Sequence, residues 1–80
     1  MRVVDEPLQG VKLLEPEVHT DHRGFFMESY NRRRFAELGI AADFVQDNHS
    51  RSSRGVLRGL HFQVEHPQAK LVRATCGRVF

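Results

Sequence analysis

The side chains best suited to chemistry in this chain are His61 and Lys70, carried on the stretches 56–63 (VLRGLHFQ) and 70–75 (KLVRAT). An imidazole with an unperturbed pKa near 6.5 can act as a general base at neutral pH. If 56–63 is a strand, Leu57, Gly59, His61 and Gln63 share one face and Arg58, Leu60 and Phe62 the other. Gly59 leaves space beside Arg58 and His61 for a ligand or for close backbone approach. Strand twist or a bulge can bring Arg58 round to the His61 pocket. Lys70 alternates with the apolar Val72 and Ala74, which turns it inward with them. An inward ammonium requires an anionic partner or a developing negative charge. Each residue also has a plainer reading: a half-buried histidine bonded to backbone, and a lysine reaching from a strand's mouth to water.

Gln46, Asp47 and Asn48 are consecutive and offer two amides and a carboxylate to a polar ligand, or else Asx-type turns at the start of a loop. Arg23 and Glu28 flank Gly24-Phe25-Phe26-Met27. A guanidinium beside an exposed ring suits a nucleotide, with phosphate on the arginine and base on the ring. A salt bridge beside a core hairpin is the alternative. The five histidines are dispersed, with no His-x-His or His-x-x-x-His pair, so no metal site is expected. Cys76 precedes a turn glycine, and no local motif activates it as a nucleophile.

These side chains need elements to hold them. Val11–Leu14 reads as a short strand and residues 20–24 as a turn, followed by a strand over 25–30. Asn31 caps a helix over 32–38, with Gly39 at its end and Phe35 and Leu38 as its buried pair. Arg32, Arg33 and Arg34 near its start oppose the helix dipole, so packing must sustain it. Further strands are expected over 43–49, 56–63, 70–75 and 78–80, with loops at 50–55 and 65–68. Many short strands with one short helix indicate an all-β sandwich or barrel.

Eighty residues bound the chain to one domain of marginal stability. A sheet interrupted at 78–80 reads as the front part of a longer domain. One cysteine fits a reducing compartment. Neither a signal peptide nor a run of about 20 apolar residues is visible, which excludes a membrane span. The net charge is +2, but residues 51–80 hold six basic side chains against Glu65 alone. Residues 1–31 hold three basic against six acidic ones. A basic half suits an anionic ligand.

Five segments in order carry a family likeness: 21–30 (DHRGFFMESY), 44–52 (FVQDNHSRS), 55–63 (GVLRGLHFQ), 68–73 (QAKLVR) and 77–80 (GRVF). The chain resembles the N-terminal part of the dTDP-4-dehydrorhamnose 3,5-epimerases, enzymes of dTDP-L-rhamnose synthesis. The resemblance implies a cupin-type jelly-roll barrel, with residues 1–80 as the N-terminal portion of one such domain. It implies that His61 removes the protons at C3 and C5 of a 4-keto sugar and that Lys70 faces the C4 oxygen. Arg58, Gln46, Asp47 and Asn48 match substrate-binding positions. Arg23 and Glu28 match nucleotide contacts that reach a partner subunit's site, with Phe26 beside the base. The family's general-acid tyrosine and the aspartate that orients its histidine have no counterpart in these 80 residues, so the chain alone is expected to be poorly active.

No metal and no cofactor is implied. A dTDP-sugar substrate, a cytoplasmic homodimer with exchanged N-terminal strands, and neither nucleic acid nor membrane as partner complete the expectation. Two other functions fit some of the same residues. One is a cupin-like module that holds a sugar nucleotide without turning it over. The other is a small basic β-domain that binds single-stranded nucleic acid through its arginines, Phe44 and Phe62.

Overall fold

Gln9 and Gly10 turn the chain back on itself and pair strand β1 (Arg2–Leu8) with strand β2 (Val11–Glu15) in an antiparallel ribbon. The computed structural model describes residues 1–80, in two compact units, Met1–Asp43 and Phe44–Phe80. All regular secondary structure lies in the first unit. It is mostly strand with one short helix, an all-β composition arranged as two separate two-stranded sheets. No helix is long and apolar enough to cross a membrane.

In the first ribbon Arg2 stands opposite Glu15, and their side chains form an ion pair at 3.1 Å. Val3 opposes Leu14 and Leu8 opposes Val11, with register shifts on either side of Asp5. The sequence predicts β2 but not β1, because Asp5, Glu6 and Pro7 are poor strand formers. A two-stranded ribbon consists of edges, where proline is tolerated, and irregular register accommodates the rest.

Strands β3 (Val18–Asp21) and β4 (Gly24–Met27) form the second hairpin, from Val18↔Met27 to Asp21↔Gly24. The turn is tighter than the expected 20–24: Thr20 and Asp21 belong to β3, and only His22 and Arg23 turn. Asp21 closes it by accepting the Arg23 backbone N–H at 2.8 Å, and Gly24 follows at φ +131°. The expected strand over 25–30 ends at Met27, because β3 begins directly opposite, at Val18.

Helix α1 (Arg32–Glu37) starts at Asn31, whose extended backbone and side-chain oxygen form an N-cap that accepts the Arg34 N–H at 3.0 Å. Its end is a paired left-handed cap: Gly39 N–H donates to Ala36 at 3.0 Å and Ile40 N–H to Phe35 at 2.8 Å, with Gly39 at φ +84°. The three arginines expected to oppose the dipole each meet a carboxylate: Arg32 with Asp43, Arg33 with Glu37 and Arg34 with Glu28. These exposed pairs are worth about 0–1 kcal/mol each, enough to offset a dipole penalty of similar size. Phe35 is fully buried, and Tyr30 packs edge-on against it at 4.9 Å. Leu38, expected to be buried with it, is half-exposed.

A tie across the unit was not visible in the sequence. Lys12 on β2 donates its ammonium to the Leu38 carbonyl at 2.7 Å and lies 3.7 Å from Glu6. A cation thus sits on the negative end of α1.

The unit Phe44–Phe80 forms no strands, so those expected over 43–49, 56–63, 70–75 and 78–80 are corrected. Val56 N–H closes a turn onto the Ser53 carbonyl at 3.2 Å. Residues 45–80 are exposed throughout, Leu60 and Phe62 included. Alternation supplies a candidate face, but a strand also needs a neighbour to take its N–H and C=O groups. Within these 80 residues no segment takes that place.

Gly39→Ala forces a Cβ into a left-handed conformation and to 2.7 Å from the Lys12 nitrogen. The lysine tip can move; the backbone strain cannot be relieved so easily. The expected loss is about 1–2 kcal/mol for the unit Met1–Asp43, read as faster hydrogen exchange of the Ile40 amide. Unchanged exchange would show that the cap does not hold the helix end.

Candidate functional site

The residues singled out in the sequence divide between the two units, and each group has its own geometry. In the first unit an open cleft runs along the second hairpin, lined by His19, Thr20, Asp21, Arg23, Gly24, Phe25 and Phe26. The register of β3 and β4 places His19 opposite Phe26, with ring centroids 6.5 Å apart and tilted by 34°. Phe25 and Phe26 are 70% and 72% exposed. Such a ribbon offers open ring faces to a planar ligand.

Arg23 lines this cleft, and the hairpin turn holds it there. Its Nε and Nη2 donate to Asp21 Oδ2 at 3.1 and 2.6 Å, while its backbone N–H donates to Oδ1. A guanidinium has five N–H donors, so part of the fork stays open to an anion. The Arg23 side chain, and then its backbone N–H, hold the Asp21 carboxyl below the usual aspartate range. Glu28 is half-buried and pairs with Arg34 at 3.3 Å. Arg23 and Glu28, whose salt bridge with one another was the alternative to a ligand role, therefore have separate partners.

A second open cleft is lined by Tyr30, Asn31, Arg32, Arg33 and Ala36. Arg32 and Arg33 already face Asp43 and Glu37. This cleft contains none of the residues selected from the sequence.

In the unit Phe44–Phe80, Gln46 donates its side-chain amide to Asn48 Oδ1 at 3.1 Å, and Asp47 lies exposed between them. Arg58 turns toward the preceding loop, with Nε on Ser52 Oγ at 2.7 Å and Nη2 on the Arg51 carbonyl at 3.3 Å. His61 sits beside Gly59: a Cβ added to that glycine would lie 3.9 Å from His61 Nδ1, so the space left there adjoins the imidazole. Gln63 accepts the Gln68 N–H at 3.2 Å, folding 63–68 into a loop before Lys70. His61 and Lys70 are both exposed, and neither lines either cleft. Without a ladder between 56–63 and 70–75, nothing fixes the two side chains to a common face.

His19 and Thr20 join the hairpin cleft although the sequence did not single them out. The available signal was the turn: once His22-Arg23 is taken as a two-residue connection, antiparallel register puts His19 across from Phe26. No group of three or more His, Cys, Asp or Glu side chains is arranged to hold a metal ion. Cys76 is free and exposed.

Comparison with known proteins gives this geometry its context. Residues 5–80 match the family model described as dTDP-4-dehydrorhamnose 3,5-epimerase. The chain is 58% identical over 81 residues to a dTDP-4-dehydrorhamnose 3,5-epimerase of Pseudomonas aeruginosa, covering 100% of this chain and 45% of the relative. An enzyme of the same name from Methanothermobacter thermautotrophicus is 56% identical over 99% of this chain and 43% of its own length. One from Escherichia coli is 56% identical over 100% of this chain and 44% of its own length. The chain thus spans less than half the length of these curated relatives.

The Asp21–Arg23 turn carries a pH signature. A carboxyl with a depressed folded pKa adds stability that is present above its unfolded value, about 3.9, and is lost as pH falls through the folded value. Carboxyl NMR titration should place Asp21 below the ordinary aspartate range, and Arg23→Ala should raise it part of the way back, because the backbone N–H of residue 23 still donates to the carboxylate. An unshifted Asp21 in the unsubstituted chain would show that this turn does not persist in solution.

Proposed function

Because the chain belongs to the dTDP-4-dehydrorhamnose 3,5-epimerase family, we propose that it forms the N-terminal part of an enzyme that epimerises dTDP-4-dehydro-6-deoxy-D-glucose at C3 and C5. The product is dTDP-4-dehydro-L-rhamnose, a precursor for dTDP-rhamnose and cell-surface polysaccharide. The observation that carries this reading is the family match over residues 5–80, which takes in both His61 and Lys70.

The chemistry follows from the side chains. Carbons flanking a ketone are acidic because their carbanions delocalise onto the carbonyl oxygen. His61 is the base that takes the proton from C3 and C5 in turn. Lys70 is the cation that meets the enolate charge at the C4 oxygen, where a fixed charge in a water-poor site lowers the barrier most. Return of the proton from the opposite face completes each inversion. Neither step calls for a metal or a redox cofactor.

Arg58, Gln46, Asp47 and Asn48 bind the sugar diphosphate in this reading. Arg23, Phe26 and Glu28 hold the thymidine end, and the exposed rings and open guanidinium of the hairpin cleft support that assignment. The fold completed around them is a cupin-type jelly-roll barrel, with residues 1–80 as the N-terminal portion of its single domain. A cytoplasmic homodimer that exchanges N-terminal strands brings the hairpin of one subunit to the other's site. The second reading, a cupin module that binds a sugar nucleotide without turnover, is favoured by one feature: His61 and Lys70 do not share a cleft.

His61→Asn in an intact epimerase chain carrying these residues separates the two readings. Turnover should fall by about 10²–10⁴-fold, with deuterium uptake from solvent at C3 and C5 abolished and dTDP-sugar binding retained. Exchange that persists in the variant would remove His61 as the base. No exchange before substitution would leave only the binding module. The 80-residue chain alone should bind dTDP-sugars weakly and turn them over poorly.

A further inference from the structure

We propose that Asp21 is a positioning residue for the nucleotide end of the substrate: it holds one edge of the Arg23 guanidinium and leaves the other edge set for a phosphate. The inference rests on the reading of Arg23 as a nucleotide contact and goes beyond it, to the residue that aims that contact.

Asp21 is the last residue of β3, and Arg23 is the second residue of the short connection to β4. A carboxylate two positions back is short enough to serve the backbone and the side chain of residue 23 together. Its Oδ1 accepts the Arg23 backbone N–H at 2.8 Å, and its Oδ2 accepts Nε at 3.1 Å and Nη2 at 2.6 Å. Of the five N–H donors of a guanidinium, these bonds engage the one on Nε and one of the two on Nη2. Both on Nη1 and the second on Nη2 are left. They form the fork at the tip, whose parallel N–H groups match two oxygens of a phosphate. The turn is open beside it, since a Cβ added to Gly24 would meet nothing within 4 Å.

Two effects of this carboxylate oppose one another. The Arg23 side chain is 79% exposed, and without Asp21 it would sample many rotamers that a ligand would then have to order. Asp21 removes that disorder before the ligand arrives. Its charge also repels a phosphate. The phosphate, however, lies on the far side of the guanidinium, and between exposed groups at physiological ionic strength charge is screened over about 8 Å. The ordering of a side chain is not screened, so positioning outweighs repulsion.

The test compares Asp21→Asn, Arg23→Ala and the double variant with the unsubstituted protein, in an intact epimerase chain carrying these residues. An asparagine oxygen can still accept the backbone N–H of residue 23 and keep the turn. Its NH2 then faces the guanidinium donors, so the hold on the side chain is lost. Asp21→Asn should bind dTDP about 3–10-fold more weakly and thymidine equally well, and the dTDP ratio should persist at raised ionic strength. With Arg23 already alanine, Asp21→Asn should lower dTDP affinity no further. A spectroscopic signature in the unsubstituted protein depends on no variant's folding: on titration with dTDP the Arg23 Nη resonances should move while Nε–H stays in place. Equal or tighter dTDP binding by Asp21→Asn, an equal loss for thymidine, or an Nε–H that shifts to the phosphate would each overturn the proposal. A loss in Arg23→Ala without one in Asp21→Asn removes this inference alone. Unchanged dTDP binding by Arg23→Ala removes it together with the reading of Arg23 as a nucleotide contact. The expected binding pattern without turnover would uphold the role of Asp21 and remove the epimerase reading.

Discussion

A β-strand's backbone carries a donor and an acceptor at each non-proline residue, and both need a partner when water is excluded. That requirement decides which parts of this chain become regular. Leu8 finds Val11 across a two-residue turn, and Asp21 finds Gly24 in the same way. In both hairpins the partner arrives with little loop to close, so the entropic penalty is small. The stretches at 56–63 and 70–75 have strand-like side chains but no such neighbour, and they remain outside any ladder.

Where side chains do reach across the first unit, they do so by few and specific contacts. Phe35 is its fully buried residue, with Tyr30 against its ring. Lys12 draws β2 to the C-terminal end of α1, where the last carbonyls lack partners of their own. The neighbouring Gly39 cap satisfies two other carbonyls at the same end. A six-residue helix is too short to persist on propensity. Its cap, its buried ring and its lysine supply what propensity does not.

Chemistry-bearing residues were legible to different degrees. The Asn31 cap, the Gly39 stop and the burial of Phe35 could be read because each depends on neighbours within a few positions. Arg23 was read by type as either a nucleotide contact or a salt-bridge partner, but its bond to Asp21 emerged only with the turn that brings the carboxylate back. Lys12 looked like an ordinary strand lysine, since its acceptor lies 26 residues away. His19 gained a ring partner only through hairpin register.

By itself, the order of residues determined the family motifs, the alternating faces and the local caps and turns, because these express side-chain type and short-range geometry. Tertiary structure decided which alternating segments became strands, which carboxylate each arginine met and which lysine closed the helix. Those outcomes depend on groups distant along the chain meeting in space, and a period-two pattern carries no information about whether a partner is there to meet.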